Sequence, residues 1–123
     1  MSLRARAEKA ASQARKLLQE LEAQKSALLG EVESLRKQVE AAKRLLESEK
    51  LDAEEAEKLL PQAQRMLSEL EAVKSGLERL SSSRLSYAQQ LDAVKRARAS
   101  LEEKRLQATK LLGEIEKLLA AAK

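Results

Sequence analysis

Residues 17–46 read LLQELEAQKSALLGEVESLRKQVEAAKRLL, and their spacing decides the fold. The apolar positions Leu18, Leu21, Leu28, Val32, Leu35, Val39, Ala42 and Leu46 alternate three and four residues apart, with Lys25 standing in the one slot that breaks the series. Side chains at that spacing fall on a single stripe of an α-helix, the signature of a coiled-coil seam. The stripe continues backward through Ala14, Ala11 and Ala7, so the seam runs for more than five heptads.

Two further stretches carry the same period. One passes through Ala56, Leu59, Ala63, Met66, Leu70, Val73, Leu77 and Leu80; the other, looser, passes through Leu91, Val94, Leu101, Ala108, Leu112, Ile115 and Leu119. The stripes are wider than a strict two-position seam, because Leu17 adjoins Leu18, Met66 adjoins Leu67 and Leu111 adjoins Leu112. Three apolar positions per heptad suit a helix that touches two neighbours in a bundle. A sheet has little to build on: the chain holds four Val, one Ile, one Thr and one Tyr.

Composition agrees. Ala, Glu, Lys, Leu and Arg make up roughly 70% of the chain, beyond the half that marks coiled coils and long helices. There is no Cys, His, Phe or Trp, and Tyr87 is the one aromatic residue. These zeros remove disulfides, thiolate nucleophiles, imidazole triads and zinc knuckles. They also remove any aromatic platform for stacking single-stranded bases. The formal net charge is +4, from 24 basic and 20 acidic residues. The start of the chain is basic, the segment Glu47–Glu57 is acidic apart from Lys50, and Arg84–Lys110 is basic again. Such blocks can set register between antiparallel helices; the plainer account is solvated faces, since a surface pair is worth only about 0–1 kcal/mol.

An internal echo helps to place the breaks. Gln13–Glu22 resembles Gln62–Glu71, 49 residues later, and Gln107–Glu116, a further 45 residues on. Convergence under biased composition accounts for such matches as well as duplication does. The first offset is a whole number of heptads and preserves phase, with Glu49, Ala53 and Ala56 in the intervening core-phase slots. The second offset breaks phase, and Ser81-Ser82-Ser83 lies between the copies as the one cluster of poor helix formers. Leu80–Arg84 therefore reads as a tight helix–helix turn. At the other junction, Asp52-Ala-Glu-Glu55 resembles a capping box with Asp52 as N-cap. Pro61 sits where it would remove a hydrogen bond and kink a continuous helix, at a cost of roughly 3 kcal/mol.

The fold class is all-α: an antiparallel helical coiled-coil bundle of three long helices in one domain, residues 1–123, with helices at about 3–48, 52–80 and 84–122. The alternative is a two-helix hairpin with one long kinked helix over 3–80. Three helices bury the wide stripes better within one chain. Their lengths do not match, however: a second helix folded back from residue 52 ends level with about residue 20 of the first. Residues 3–19 then overhang, with Ala7, Ala10, Ala11, Ala14, Leu17 and Leu18 uncovered. Such a stripe is expected to be covered by another molecule.

Candidate sites for chemistry are few. Glu54, Glu55 and Glu57 are dense enough for weak cation binding, but acids at a helix N-terminus are explained by the dipole. Gly30, Gly76 and Gly113 are isolated in helical patterns, each marking a close contact or a weak point, and form no phosphate loop. Lys25 and the pair Lys104-Arg105 interrupt the seams; they can fix register, or their stems can cover apolar surface while the charges reach water. Lys95, Arg96 and Arg98 with Lys104 and Arg105 make a diffuse basic strip that Asp92, Glu102 and Glu103 interrupt. No catalytic residue, cofactor, metal or small-molecule ligand is expected. No apolar run approaches the ~18 residues of a membrane span, and nothing addresses localisation beyond a default of cytoplasm.

The reading is a non-catalytic structural or protein–protein interaction module that offers a Leu/Ala stripe to its own copies or to partner helices. The contact residues it favours are Leu18, Leu21, Leu28, Val32, Leu35, Met66, Leu70, Leu77, Leu112 and Ile115. Two other readings stand beside it: a designed or scaffold helical protein without a natural ligand, and a weak basic binder of nucleic acid or anionic membrane, for which aromatics and a groove-reading motif are lacking. Removing a buried Leu side chain alone costs about 2–5 kcal/mol. The double variant Leu21→Glu/Leu70→Glu is therefore expected to unfold or dissociate; a retained helical circular-dichroism signal with unchanged mass contradicts the seam assignment.

Overall fold

The computed structural model describes residues 2–48 and 50–122. They form three α-helices, α1 (Leu3–Glu47), α2 (Ala53–Arg79) and α3 (Tyr87–Ala121), with a single 3-10 turn at Leu80–Ser82 between the last two. Each helix packs on both others, so the architecture is the three-helix bundle and not the hairpin. Glu49, which falls in a core-phase slot, lies outside the described residues.

The break after α1 is built from side-chain caps, not from glycine. The backbone N–H of Ser48 donates to the Leu45 carbonyl, and the Ser48 hydroxyl donates to the same oxygen at 2.7 Å. Asp52 then accepts from the Glu54 amide at 2.9 Å and opens α2, with Glu54 and Glu55 in the first turn favoured by the helix dipole. Leu51 is buried beneath the turn and pins it to the core. Phase continuity across this junction therefore does not mean helix continuity.

Pro61 lies inside α2, which runs on past it to Arg79. The residue is exposed. Its missing N–H leaves the Glu57 carbonyl without an intrahelical donor, at a position also open to water.

The serine turn differs in detail from the sequence expectation. Ser81, Ser82 and Ser83 each donate their hydroxyl to the carbonyl three residues back, which tightens the end of α2 into the 3-10 turn. They do not cap α3. That role falls to Ser86, whose hydroxyl accepts from the Gln89 amide while the Gln89 side chain accepts from the Ser86 amide. Helix α3 thus starts at Tyr87, three residues later than expected. Gln90, the one buried polar residue described, donates to the Leu85 carbonyl at 2.9 Å and holds the turn against the bundle.

The core follows the seams closely. Leu21, Leu28, Val32, Leu35, Val39, Ala42 and Leu46 of α1 meet Ala56, Leu59, Ala63, Met66, Leu70 and Leu77 of α2 and Leu91, Val94, Leu101, Ala108, Leu111 and Ile115 of α3. In α3 the buried residue of the Leu pair is Leu111, and Leu112 is only half-buried. The steps Val94, Leu101, Ala108 and Ile115 are whole heptads, and Leu111 occupies the intermediate core slot. The slot one heptad earlier holds Lys104, which is why the looser third seam was ambiguous.

The three glycines have no packing cause within the chain: a Cβ built at Gly30, Gly76 or Gly113 meets nothing within 4 Å. None has a positive φ. Mid-helix Gly costs roughly 0.5–1 kcal/mol relative to Ala through backbone entropy. Gly30→Ala and Gly76→Ala are expected to raise stability to urea by about that amount each. A loss of stability in either variant contradicts the open space seen at these positions.

Candidate functional site

Helix lengths create the most exposed feature of the molecule. With 45 residues against 27, α1 outruns α2 by about 27 Å at 1.5 Å per residue. The excess lies at the N-terminus. Leu21 is the first buried residue of α1, and Leu17 and Leu18 are half-buried at the edge of the core. From Leu3 to Lys16 only Ala5 and Ser12 are even half-buried. At the other end α3 is longer than α2, but Leu118 and Leu119 pack against the core near the α1–α2 turn, so no comparable projection forms there.

The projecting segment stays helical for local reasons. Ser2 caps it by accepting from the Ala5 amide at 3.1 Å, and Arg4 pairs with Glu8 one turn on, at 3.3 Å. Its alanines have the highest helix propensity. Nucleation, the expensive step for an isolated helix, is already met by the packed remainder of α1. One face carries Ala7, Ala11 and Ala14, in phase with the buried seam beyond them.

The ten favoured contact residues divide in two. Leu21, Leu28, Val32, Leu35, Met66, Leu70, Leu77 and Ile115 face one another inside the single chain. Leu18 and Leu112 are half-buried at its margin. On α1 the uncovered part of the seam is therefore its alanine continuation and not its leucine section. Sequence reasoning reached that surface through the overhang, but did not carry it into the contact residues.

Some charged residues on the bundle proper pair with one another, within a helix and between helices. Glu31 of α1 receives Arg98 at 2.8 Å and Arg105 at 3.6 Å from α3. Lys104 reaches Glu69 of α2 at 3.9 Å and donates to the Ser100 hydroxyl at 2.9 Å; its side chain is 16% exposed, so the stem covers apolar surface while the ammonium finds partners. Three of the five residues of the basic strip thus tie α3 to its neighbours. Arg36 hydrogen-bonds to Glu33 and, at 2.7 Å, to Glu40. The Arg36 guanidinium holds the Glu33 carboxyl below its ordinary range, and Glu33 in turn holds the proton on Arg36 more firmly. Glu31 was not singled out in the sequence, and only three-dimensional register reveals that it serves two arginines.

The projection differs from the bundle. Residues 3–16 hold Arg4, Arg6, Lys9, Arg15 and Lys16 against Glu8, so their +4 equals the formal net charge of the whole chain. The bundle proper is balanced. At its far end, Glu47, Asp52, Glu54, Glu55 and Glu57 surround the α1–α2 turn, accompanied by Lys43, Arg44, Lys50 and Lys58. Beside that turn is a groove lined by Leu46, Leu51, Ala53 and Leu60, with Glu47 and Glu57 at its edge.

Among the described residues no group of three or more acidic side chains converges as a metal site, and no buried side-chain nitrogen or oxygen lacks a hydrogen-bond partner. Among the described residues no helix is long and apolar enough to cross a membrane. Comparison with protein-family models, with curated proteins and with solved structures finds no match.

Proposed function

We propose that this chain is a non-catalytic structural module that works by helix–helix association, with residues 3–18 of α1 as its docking element. One observation carries the reading: a helix stabilised by a complete bundle extends well beyond it with an unbroken, uncovered apolar stripe. Alanine suits that role. It gives little hydrophobic gain per residue, so the segment tolerates water when alone, and its small side chain lets a second helix approach closely. Leu17 and Leu18, half-buried where the bundle begins, add larger apolar contacts at the base of the projection. The Leu-rich seam of the bundle has the complementary task of holding the projection straight.

The rival reading, a basic binder of nucleic acid or anionic surface, draws on the same projection through its five cations. It lacks bulky apolar anchors and base-reading groups there, and association of helices uses both the stripe and the charge. Size-exclusion chromatography with light scattering and small-angle X-ray scattering on the same peak separates the outcomes. The expected result is an elongated assembly heavier than 13.7 kDa that reverts to monomer in the variant Ala7→Glu/Ala11→Glu/Ala14→Glu. A wild-type chain that remains monomeric up to about millimolar concentration, where a contact worth only ~4 kcal/mol is half formed, contradicts the proposal.

A further inference from the structure

We infer that copies of this chain assemble head to tail, the basic projection of one (residues 4–16) seating in the acid-edged groove beside the α1–α2 turn of the next. The inference rests on the docking role proposed for the projection and names its partner surface.

Rigid geometry makes the contact intermolecular. The projection and the turn sit at opposite ends of α1, with about 30 residues of continuous helix, roughly 45 Å, between Lys16 and Leu46. The two ends differ in charge: five cations against one acid on the projection, and five described acids against Lys43, Arg44, Lys50 and Lys58 around the turn, with acids at both edges of the groove. Within one chain they cannot meet; between chains they match.

Several of these charges are placed against the helix that carries them. Helix α1 begins with Arg4 and Arg6 in its first turn and no acid there, where the dipole favours acids. It ends on Glu47, where the dipole favours cations, although Arg44 stands in the same last turn and Lys43 lies 3.7 Å from the Glu47 carboxylate. In α2, Asp52, Glu54 and Glu55 are accounted for as N-cap and first-turn acids, but Glu57 lies beyond the first turn. Among the described residues of this turn, Glu47 and Glu57 are the acids without a dipole explanation, and both edge the groove. Pro61 also leaves the Glu57 carbonyl without its intrahelical donor, adding an acceptor at the same place. These charges amplify the dipole of α1, so two molecules in line attract end to end.

The groove offers apolar surface that fits small side chains. Leu60 is half-buried and Ala53 exposed, with Leu46 and Leu51 beneath. An alanine face can lie on such a strip while flanking Arg6 and Arg15 reach Glu47 and Glu57. The contact is heterologous, so each copy keeps one free projection and one free groove, and association continues as an open chain.

Sedimentation velocity on three chains tests this. The wild type is expected to grow with concentration without a fixed stoichiometry, and to weaken at least tenfold between about 0.05 and 0.5 M salt. The projection variant Arg4→Glu/Arg6→Glu/Arg15→Glu and the groove variant Glu47→Lys/Glu57→Lys are each expected to remain monomeric. Arg4→Glu, Arg6→Glu and Glu47→Lys place charges as the α1 dipole prefers at its ends, and Arg15 and Glu57 are exposed, so the thermal stability of both variants should stay close to that of the wild type; loss of assembly then is not loss of fold. Mixed in equal amounts, the two variants should assemble again, because each projection now meets a groove of opposite charge. A groove variant that assembles like the wild type overturns the head-to-tail contact and leaves the docking role of the projection standing. Failure of the mixture to assemble overturns it as well. A wild-type chain that never associates removes both.

Discussion

One seam on α1 organises the molecule, and that seam is longer than the helices available to cover it. Burial along Leu21–Leu46 holds α2 and α3 in place. Each fully buried Leu or Val contributes about 1.5–3 kcal/mol relative to exposure. The same face continues in phase through Ala14, Ala11 and Ala7 with nothing from α2 or α3 buried against it. The turn at Ser48–Asp52 and the 27 residues of α2 set where cover stops. Along α1 the seam is mainly Leu and Val where the chain covers itself, with Ala42 the exception, and Ala where it does not.

Much of this was legible in the sequence because the hydrophobic period is strong and the breaks have chemical markers. Helix number, the Asp52 cap and the length mismatch all follow from apolar spacing and capping residues. What escaped has physical reasons. The third seam offers Leu111 and Leu112 side by side, and Lys104 occupies the slot that would have set the phase, so the choice between the two leucines depended on packing. Ser86 was passed over because three other serines precede it, although Ser86 and Gln89 together form a complete capping box. Glu31 could not be found from its own neighbourhood, since the two arginines it holds lie 67 and 74 positions away. The favoured contact residues followed the largest side chains, and eight of the ten lie buried within the single chain.

Electrostatics separates the two parts of the molecule. In the bundle, charges balance in sum and Glu31 and Glu69 receive cations from α3; exposed pairs of this kind add little stability and chiefly favour one register over others. On the projection the charges gather by sign, and Arg4, Arg6 and, at the other end, Glu47 oppose the local helix dipole. Departures of that sort from local preference are expected where a sequence serves an interaction and not only its own fold. The mid-helix glycines, which no neighbour within the chain requires, show that stability alone has not been maximised along the bundle.

Amide hydrogen exchange resolved along α1 tests the central claim, that one helix consists of a covered and an uncovered part. In a dilute monomeric sample, amides over residues 21–46 should exchange through opening of the bundle and be strongly protected. Those over residues 6–16 should exchange by fraying and be weakly protected. Raising the concentration until assembly occurs should increase protection over residues 6–16 alone. Protection of residues 6–16 equal to that of residues 21–46 in the dilute monomer, or no gain there on assembly, would contradict the account.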